Sequence, residues 1–363
     1  VTSSPRHPLI PFWTGALAAA LLGLFPILFA MSRYLYLDFA LTALVAHPPR
    51  FGGKQKSFDA TRAKATPGVV AVVAIPSGVA VVGRDFWSAK KGRDALTVEW
   101  DDTAALKASS ADLMTQFKAL AQKPGAVARK DGDAAGALAK AAKKIEGEFE
   151  FPYLSHASME PLNCVVHLTK DGCEVWNGEQ NQTGDQFAIA KALGLPPDRI
   201  KLNQLFVGGS FGRRANPQSD YVLEAVMIAK ALASGKAAGA PIKLLWTRED
   251  DMQGGFYRPL YVHRVSAGVD AQGKPLAWLQ RIVGQSIVSG SPFEAMMMKN
   301  GIDPTSVEGA ANLPYAIPNL QVELHSPRPG IPIQWWRSVG STHTAFSTEC
   351  MIEEMAKLEG KDA

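Results

Sequence analysis

The chain is short of cysteine, of net charge and of internal repetition, and each shortage excludes something. It has three cysteines among 363 residues, Cys164, Cys173 and Cys350. An odd, sparse set is no disulfide framework. Cys164 and Cys173 flank the turn Lys170-Asp171-Gly172. If Asp171-Gly172 is the turn, Cys173 faces Lys170 rather than Cys164, which argues against a cross-strand disulfide. No C-x-x-C pair occurs, which argues against a zinc or iron–sulfur site within the chain. Lysine plus arginine total 38 and aspartate plus glutamate 34, a net charge of +4. The basic residues are scattered, so nucleic acid is not an expected partner. The 32 glycines and 24 prolines show no Gly-X-Y period, so turns are many and collagen is excluded. With 47% hydrophobic and 20% charged residues the chain is globular rather than disordered. No repeat shows at a fixed period.

Against these absences stands one uncharged run, Leu9 to Ser32, LIPFWTGALAAALLGLFPILFAMS. At about 1.5 Å per residue a helix of this length crosses about 30 Å of hydrocarbon. Trp13 near one end and Tyr34 and Tyr36 beyond the other suit interfacial belts, and Pro26 is tolerable in a membrane helix. The run is too long for a cleaved signal peptide, and no small-x-small site follows. A buried helix is the alternative. Arg6 and Arg33 balance, so orientation is not readable.

Four regions follow from the pattern: a membrane segment over 1–38, a compact α+β module over 39–102, a helical linker over 103–145 and a denser region over 146–363. In the module, VVAVVAIP and VAVVG are β-branched runs parted by Pro76-Ser77-Gly78, a hairpin signal. Phe86–Ala95 has helical character, and LTVEWD alternates like a strand. The linker is rich in Ala and Lys. Ala111–Ala121 and Ala134–Ile145 read as helices, with KPGAVARKDGD as a loop between them. Beyond it, NCVVHLT and CEVWNG form a hairpin, Thr183–Leu193 a helix stopping at Gly194, and IKLNQLFV a strand. Pro217–Ala233 reads as a helix with Asn216 as N-cap.

The chemically informative stretch is strand–GGSFGRRAN–helix. Three glycines allow close backbone approach, and the helix N-terminus with Arg213 and Arg214 makes an anion site suited to phosphate. The alternative is a tight turn with solvated arginines. G-x-G-x-x-G fails, because Ser210 stands where the second glycine belongs, and no Gly-Lys-Ser/Thr phosphate loop occurs. Gly208-Gly209-Ser210-Phe211-Gly212 does satisfy G-x-S-x-G, with Asp270 and His325 or His343 in triad order. That leaves a serine hydrolase as a competitor. Against it, the helix starts late and two arginines crowd its beginning. His156-Ala-Ser-Met-Glu160-Pro161, Gly178-Glu179-Gln180 at a strand end, and Trp335-Trp336-Arg337-Ser338 are further polar or aromatic clusters. Each has a bland reading as caps, turns or a packed corner.

At these residues the sequence resembles a known family. RFGGKQKSFDATRAKATPGVVAVVAIPSGVAVV, SHASMEPLN, GEQNQTGDQFAIAKALGLPPDRIKL, VGGSFGRRANPQSDYVLEAV, LLWTREDDMQGGFYRP, SPFEAMMMKNGIDPTSVEGAANLPYAIPNL and RSVGSTHTAFSTECMIEEMA are seven colinear blocks. They resemble the molybdopterin-binding large subunit of the xanthine dehydrogenase and aldehyde oxidase superfamily, in the branch of isoquinoline 1-oxidoreductase beta and membrane-associated aldehyde dehydrogenases. The resemblance implies an α+β fold, with a hammerhead-like module and part of a molybdopterin-binding domain after the membrane segment. It places Gln180 beside the apical oxygen of molybdenum. It places the backbone of Gly209, Phe211 and Gly212 against the metal oxygens and the pterin. Gly208, Ser210 and Arg213 complete that loop, and Arg337 with Ser338 lies on the far side of the pocket. Gln180, Phe211 and Arg337 thus stand around the reacting centre, with no protein ligand to the metal. Glu160 matches a family position without an assigned role.

The cofactor implied is molybdopterin, in its cytosine dinucleotide form, with molybdenum. The reaction implied is hydroxylation of an aldehyde or N-heteroaromatic carbon, with oxygen from water. Electrons leave to a small partner subunit carrying 2Fe-2S clusters, with a cytochrome c beyond. The expected location is membrane-associated, with the soluble part periplasmic. Departures go with the match. Family members run to about twice this length, their catalytic glutamate lies in a G-x-G-E segment absent here, and the twin-arginine export signal is also absent. The expectation is a large-subunit fragment without turnover of its own, or a non-catalytic membrane-tethered remnant.

Overall fold

A computed structural model describes residues 40–362. The membrane segment expected over 1–38 lies outside them. Among the described residues no helix is long and apolar enough to cross a membrane.

The first half contributes β1 (Leu41–Ala46), β2 (Lys54–Asp59), α1 (Thr61–Ala65), β3 (Val69–Ile75), β4 (Gly78–Gly83), α2 (Phe86–Asp94), β5 (Thr97–Asp101), α3 (Ser110–Ala121), β6 (Ala126–Asp131), α4 (Ala134–Lys140) and β7 (Lys143–Phe151). The second contributes β8 (Asn163–Leu168), β9 (Cys173–Asn177), α5 (Gln182–Leu193), β10 (Ile200–Gln204), α6 (Asp220–Ala231), β11 (Ile242–Leu245), α7 (Arg248–Gln253), β12 (Tyr261–Val269), β13 (Pro275–Gly284), α8 (Glu294–Met297), α9 (Pro304–Val307), β14 (Asn319–His325) and α10 (Ser341–Leu358).

Two sheets carry the fold. The larger runs β10-β9-β8-β11-β1-β4-β3. β4, between β1 and the edge strand β3, is buried along its whole length, as a strand covered on both faces must be. On one face, Ala43, Val45, Ala80 and Val82 join the Val222, Ala225, Val226 and Ala229 stripe of α6 in one core. On the other, α2 packs so closely that a Cβ on Gly92 would meet Val69 and Val81. The second sheet runs β6-β14-β13-β12-β7. Alternation along β12 sorts its faces: Tyr261, Val265 and Ala267 meet Met351 and Met355 of α10, while Val262 meets Phe117 of α3.

The expected hairpins, the 86–95 helix and the stop at Gly194 (φ +70°) are all present. All three cysteines are free, and Cys173 pairs across its hairpin with Leu168. Three elements depart from expectation. The stretch expected as a loop between helices holds β6, paired with β14, and the helix expected to reach Ile145 ends at Lys140 and gives way to β7, paired with β12. The segment read as a linker therefore supplies one edge strand of the second sheet, β6, and the first three residues of the other, β7, whose remainder falls in EGEFEFPYL (146–154), a stretch whose alternation reads as a strand. Local propensity yields there to pairing with distant strands. The helix expected from Pro217 starts at Asp220. Asn216 does not cap it: its Oδ1 accepts from the Gln218 amide (2.9 Å), and Ser219 sits at φ +52°. That closes a separate turn before the helix.

Candidate functional site

Four connections carry the polar and aromatic clusters singled out in the sequence: β7 to β8, β9 to α5, β10 to α6, and β14 to α10. β9 and β10 are parallel neighbours, and the carboxyl ends of adjacent parallel strands are a usual place for a ligand crevice.

The glycine loop follows β10. Gly209, Phe211 and Gly212 have φ of +100°, +56° and +106°, so the chain alternates hand within four residues. A non-glycine residue at φ +56° is strained unless its surroundings fix it, and here they do. The Gly208 amide donates to Glu160 Oε2 (2.5 Å), and the Glu160 amide returns a bond to Gly208 O (3.2 Å). Asn163 Nδ2 holds the other Glu160 oxygen at 2.6 Å. At the far end, a Cβ on Gly212 would collide with the Trp335 carbonyl oxygen, and Gln334 Nε2 donates to Gly212 O (3.3 Å). Trp335 O is itself held by His156 Nε2 at 2.5 Å. Burial holds the His156 pKa down to about 4, against the Trp335 bond, so the ring is neutral and donates through Nε2.

Between these clamps the amides of Gly209, Ser210, Phe211 and Gly212 donate to no acceptor among the described residues. A run of free amides on a backbone of alternating hand is an anion-binding concavity. Beside it, Ser210 Oγ accepts from the Arg214 amide (2.9 Å) and donates to Gln180 Oε1 (2.6 Å). The Gln180 carbonyl is thus occupied, while the residue is exposed and its NH2 group has no acceptor among the described residues. Phe211 is 43% exposed. Arg337 and Ser338 are exposed, just past the Trp335–Gly212 contact, and have no protein partner among the described residues.

The arginines correct the anion-site expectation. Arg213 is buried and bidentate to Asp220 (2.6 and 3.2 Å), with its guanidinium 4.7 Å from the Phe256 ring centre. Arg214 is buried against Asn177 Oδ1 (3.4 Å) and Glu160 (3.8 Å). Neither is a free cation. Arg213, expected to add positive charge to a phosphate site, anchors the loop to the start of α6 instead, because two carboxylate oxygens seven residues on match its planar fork.

The hydrolase alternative also fails on geometry. Ser210 bonds Gln180 and Arg214, not a histidine. His343 bonds His263 (2.9 Å), His325 bonds Lys123 O, and Asp270 caps the β12–β13 turn. A triad needs its base on the nucleophile.

Sequence reasoning left two features unassigned. Glu160 is the loop's main clamp. Behind Gln180, Glu179 and Asp185 are both buried, at 4% and 3% exposure. Burial first, then the Asp185 carboxyl, pushes the Glu179 pKa well above the usual carboxylate range, and burial raises Asp185 as well. Glu179 Oε1 and Ser219 Oγ have no hydrogen-bond partner among the described residues. Polar residues at a strand end were the only signal for this pair.

Residues 120–363 match the molybdopterin cofactor-binding domain family. The chain belongs to that family. It is 27% identical over 333 residues to isoquinoline 1-oxidoreductase subunit beta of Brevundimonas diminuta, covering 89% of this chain and 42% of the relative. It is 30% identical over 339 residues to a membrane-bound aldehyde dehydrogenase (pyrroloquinoline-quinone) of Gluconacetobacter polyoxogenes, covering 87% of this chain and 42% of that one. The solved structure of quinoline 2-oxidoreductase from Pseudomonas putida 86 shares the fold, with a TM-score of 0.67 at 18% identity, over 89% of this chain and 45% of that one. The resemblance read from the sequence is borne out. The chain spans about two fifths of the length of these curated relatives.

Proposed function

We propose that this chain is the cofactor-holding part of the large subunit of a molybdenum hydroxylase. One observation carries the reading. The glycine loop presents four acceptor-free amides, clamped open by Glu160 and Trp335. Such a loop fits an anionic, oxygen-rich group that brings its own metal ligands. The amides from Gly209 to Gly212 and the unpartnered NH2 group of Gln180 would hold molybdopterin, in the cytosine dinucleotide form. Arg337 and Ser338 would close the opposite side.

When bound, the cofactor supplies two-electron redox chemistry with oxygen from water, and electrons pass to a 2Fe-2S partner subunit and a cytochrome c. This chain's residues orient and donate. The free amides and Gln180 stabilise negative oxygen. Ser210 fixes which face Gln180 presents. Neutral His156 keeps the Trp335 carbonyl against Gly212 without adding charge. The proposed substrate is an aldehyde or an N-heteroaromatic ring.

Two measurements test this. Chain purified from a host that makes the cofactor is expected to carry about one molybdenum, and to release about one CMP on acid hydrolysis. Gly212→Ala, whose Cβ meets the Trp335 carbonyl at a positive φ, is expected to lower both at least about tenfold. Folded wild-type chain free of molybdenum would end the assignment for this polypeptide. The apolar run 9–32 and the relative named as membrane-bound support a membrane-associated chain. Carbonate-washed membranes are expected to retain it, and its release into the supernatant would refute that location.

A further inference from the structure

The glycine loop follows one end of the seven-stranded sheet, and strand register fixes what lies at the other. Leu41, the first residue of β1, pairs with Ile242, Thr42 pairs with Gly83, and Ile242 pairs with Val166. β1, β9, β10 and β11 all run the same way. The start of β1 therefore lies on the edge where β9 and β10 begin, not where they end at Gln180 and the glycine loop. Strands of five to six residues put about 15 Å or more between the two ends, and six inter-strand steps make this edge about 29 Å wide.

The edge is basic and ends in an exposed indole. α2 opens three residues after Gly83, and its second residue, Trp87, is 67% exposed, the one tryptophan in that state among the described residues. The same corner carries exposed Lys64, Arg84 and Lys91. Along the rest of the edge stand Lys170 after β8, Lys236 before β11 and Arg199 before β10, all exposed. None of the six forms an ion pair among the described residues. The exposed acids there are Asp85, Asp171 and Asp198, and Asp85 is engaged in capping α2 through the Ser88 amide. Uncommitted cations in excess around an amphipathic ring suit anionic headgroups. The point of chain entry agrees. Ala40 is buried on this edge against Val165, and residues 33–39 alone separate it from the uncharged run ending at Ser32, a reach of at most about 28 Å. The glycine-loop end exposes Phe206 and Met159 as well, but the chain does not enter there.

We propose that this edge rests on an anionic lipid surface, with Trp87 at headgroup level, so that the glycine loop opens away from the bilayer. The proposal rests on the membrane location proposed above and adds which face meets the lipid. With the run 9–32 held in a bilayer the contact is intramolecular, so a few charges suffice. The far end stays open to water, where a substrate and an electron-accepting subunit can reach it.

The test reconstitutes the full chain into vesicles of brominated phosphatidylcholine with about one third phosphatidylglycerol and reads tryptophan quenching. Trp87→Phe is expected to remove one lipid-quenched component and Trp13→Phe a second. At about 0.5 M salt, or without phosphatidylglycerol, quenching at Trp87 is expected to fall at least about fivefold while quenching at Trp13 holds. Lys64→Glu with Arg84→Glu and Lys91→Glu is expected to do the same. Lys107→Glu with Lys123→Glu and Lys130→Glu, an equal change at exposed residues off this edge, is expected to do nothing. The salt series carries the charge test if the first triple variant melts early. Phe206→Trp is expected to add fluorescence that the brominated lipid leaves unquenched. Quenching at Trp13 with none at Trp87 would overturn the docked edge and keep the membrane location, and quenching at neither would end both. Quenching at Trp87 alone would keep the docked edge and end anchoring by 9–32. Quenching at Trp87 that ignores both salt and the charge variant, quenching of the Phe206→Trp reporter, or a Trp87 shielded from iodide without lipid quenching, which assigns the edge to a protein partner, would each overturn the proposal.

Discussion

Glu179 and Asp185 press two carboxyl groups into one buried place directly behind Gln180, with Arg214, Asp220 and Cys164 as the neighbouring ionisable groups. The raised pKa values mean that the folded chain keeps a proton there which the unfolded chain has lost. Stability from the pair is therefore complete below the unfolded value of 4.5 and falls as pH rises toward the folded value, by at most about 1.4 kcal/mol per pH unit. Glu179→Gln cannot lose that proton. Its urea midpoint is expected to match wild type near pH 5 and to exceed it by a widening margin up to pH 8. A gap that stays constant across this range would show that no shared proton is held. At this scale the sequence was readable where position follows local pattern, as in placing Gln180 just past the end of β9. It was not readable at Arg213, where a loop arginine looks the same whether it meets a ligand or Asp220.

The glycine loop is held as an element by two ties, Glu160 at its start and the Arg213–Asp220 pair at its end. The second tie is buried, so removing one partner strands a charge. Asp220→Ala is expected to cost about 3–5 kcal/mol, and Arg213→Met with Asp220→Leu to recover much of that. Thermal melts of the two singles and the double give the coupling directly, and additive effects would show that the pair does not act as a unit. Local sequence explains the hairpins and the Gly194 helix end, because turn and cap residues act within a few positions. It does not explain β6. Ala126–Asp131 carries Arg129, Lys130 and Asp131 and reads as a polar loop. It is a strand because β14, some 190 residues later, offers a free edge, and because Arg129 reaches the Ala311 and Leu313 carbonyls. The same distance effect delays α6. The turn at Asn216–Ser219 is fixed by what Arg213 must reach, not by the helix-starting look of Asn216-Pro217.

Across the whole molecule, the seven-stranded sheet and its following loops supply the amide cradle and Gln180, while connections leaving the five-stranded sheet supply His156, Trp335 and Arg337. Every group placed around the loop orients, donates or clamps. None is a carboxylate free to take a proton from water: Glu160 is bonded to the Gly208 amide, Asp220 to Arg213, and Glu179 holds its proton in burial. Hydroxylation with water as oxygen source needs such a base, and the family resemblance puts it in a G-x-G-E segment that these 363 residues do not contain. Cofactor binding and turnover should therefore separate. Chain loaded with molybdenum is expected to show no oxidation of aldehydes or N-heteroaromatics with a dye acceptor. Activity is expected to appear when a polypeptide carrying the G-x-G-E segment is co-expressed, and to vanish again when its glutamate becomes glutamine. Turnover by the single loaded chain would mean that one of the carboxylates assigned here to structure acts as the base, with Glu160, 36% exposed at its side chain, the first to substitute.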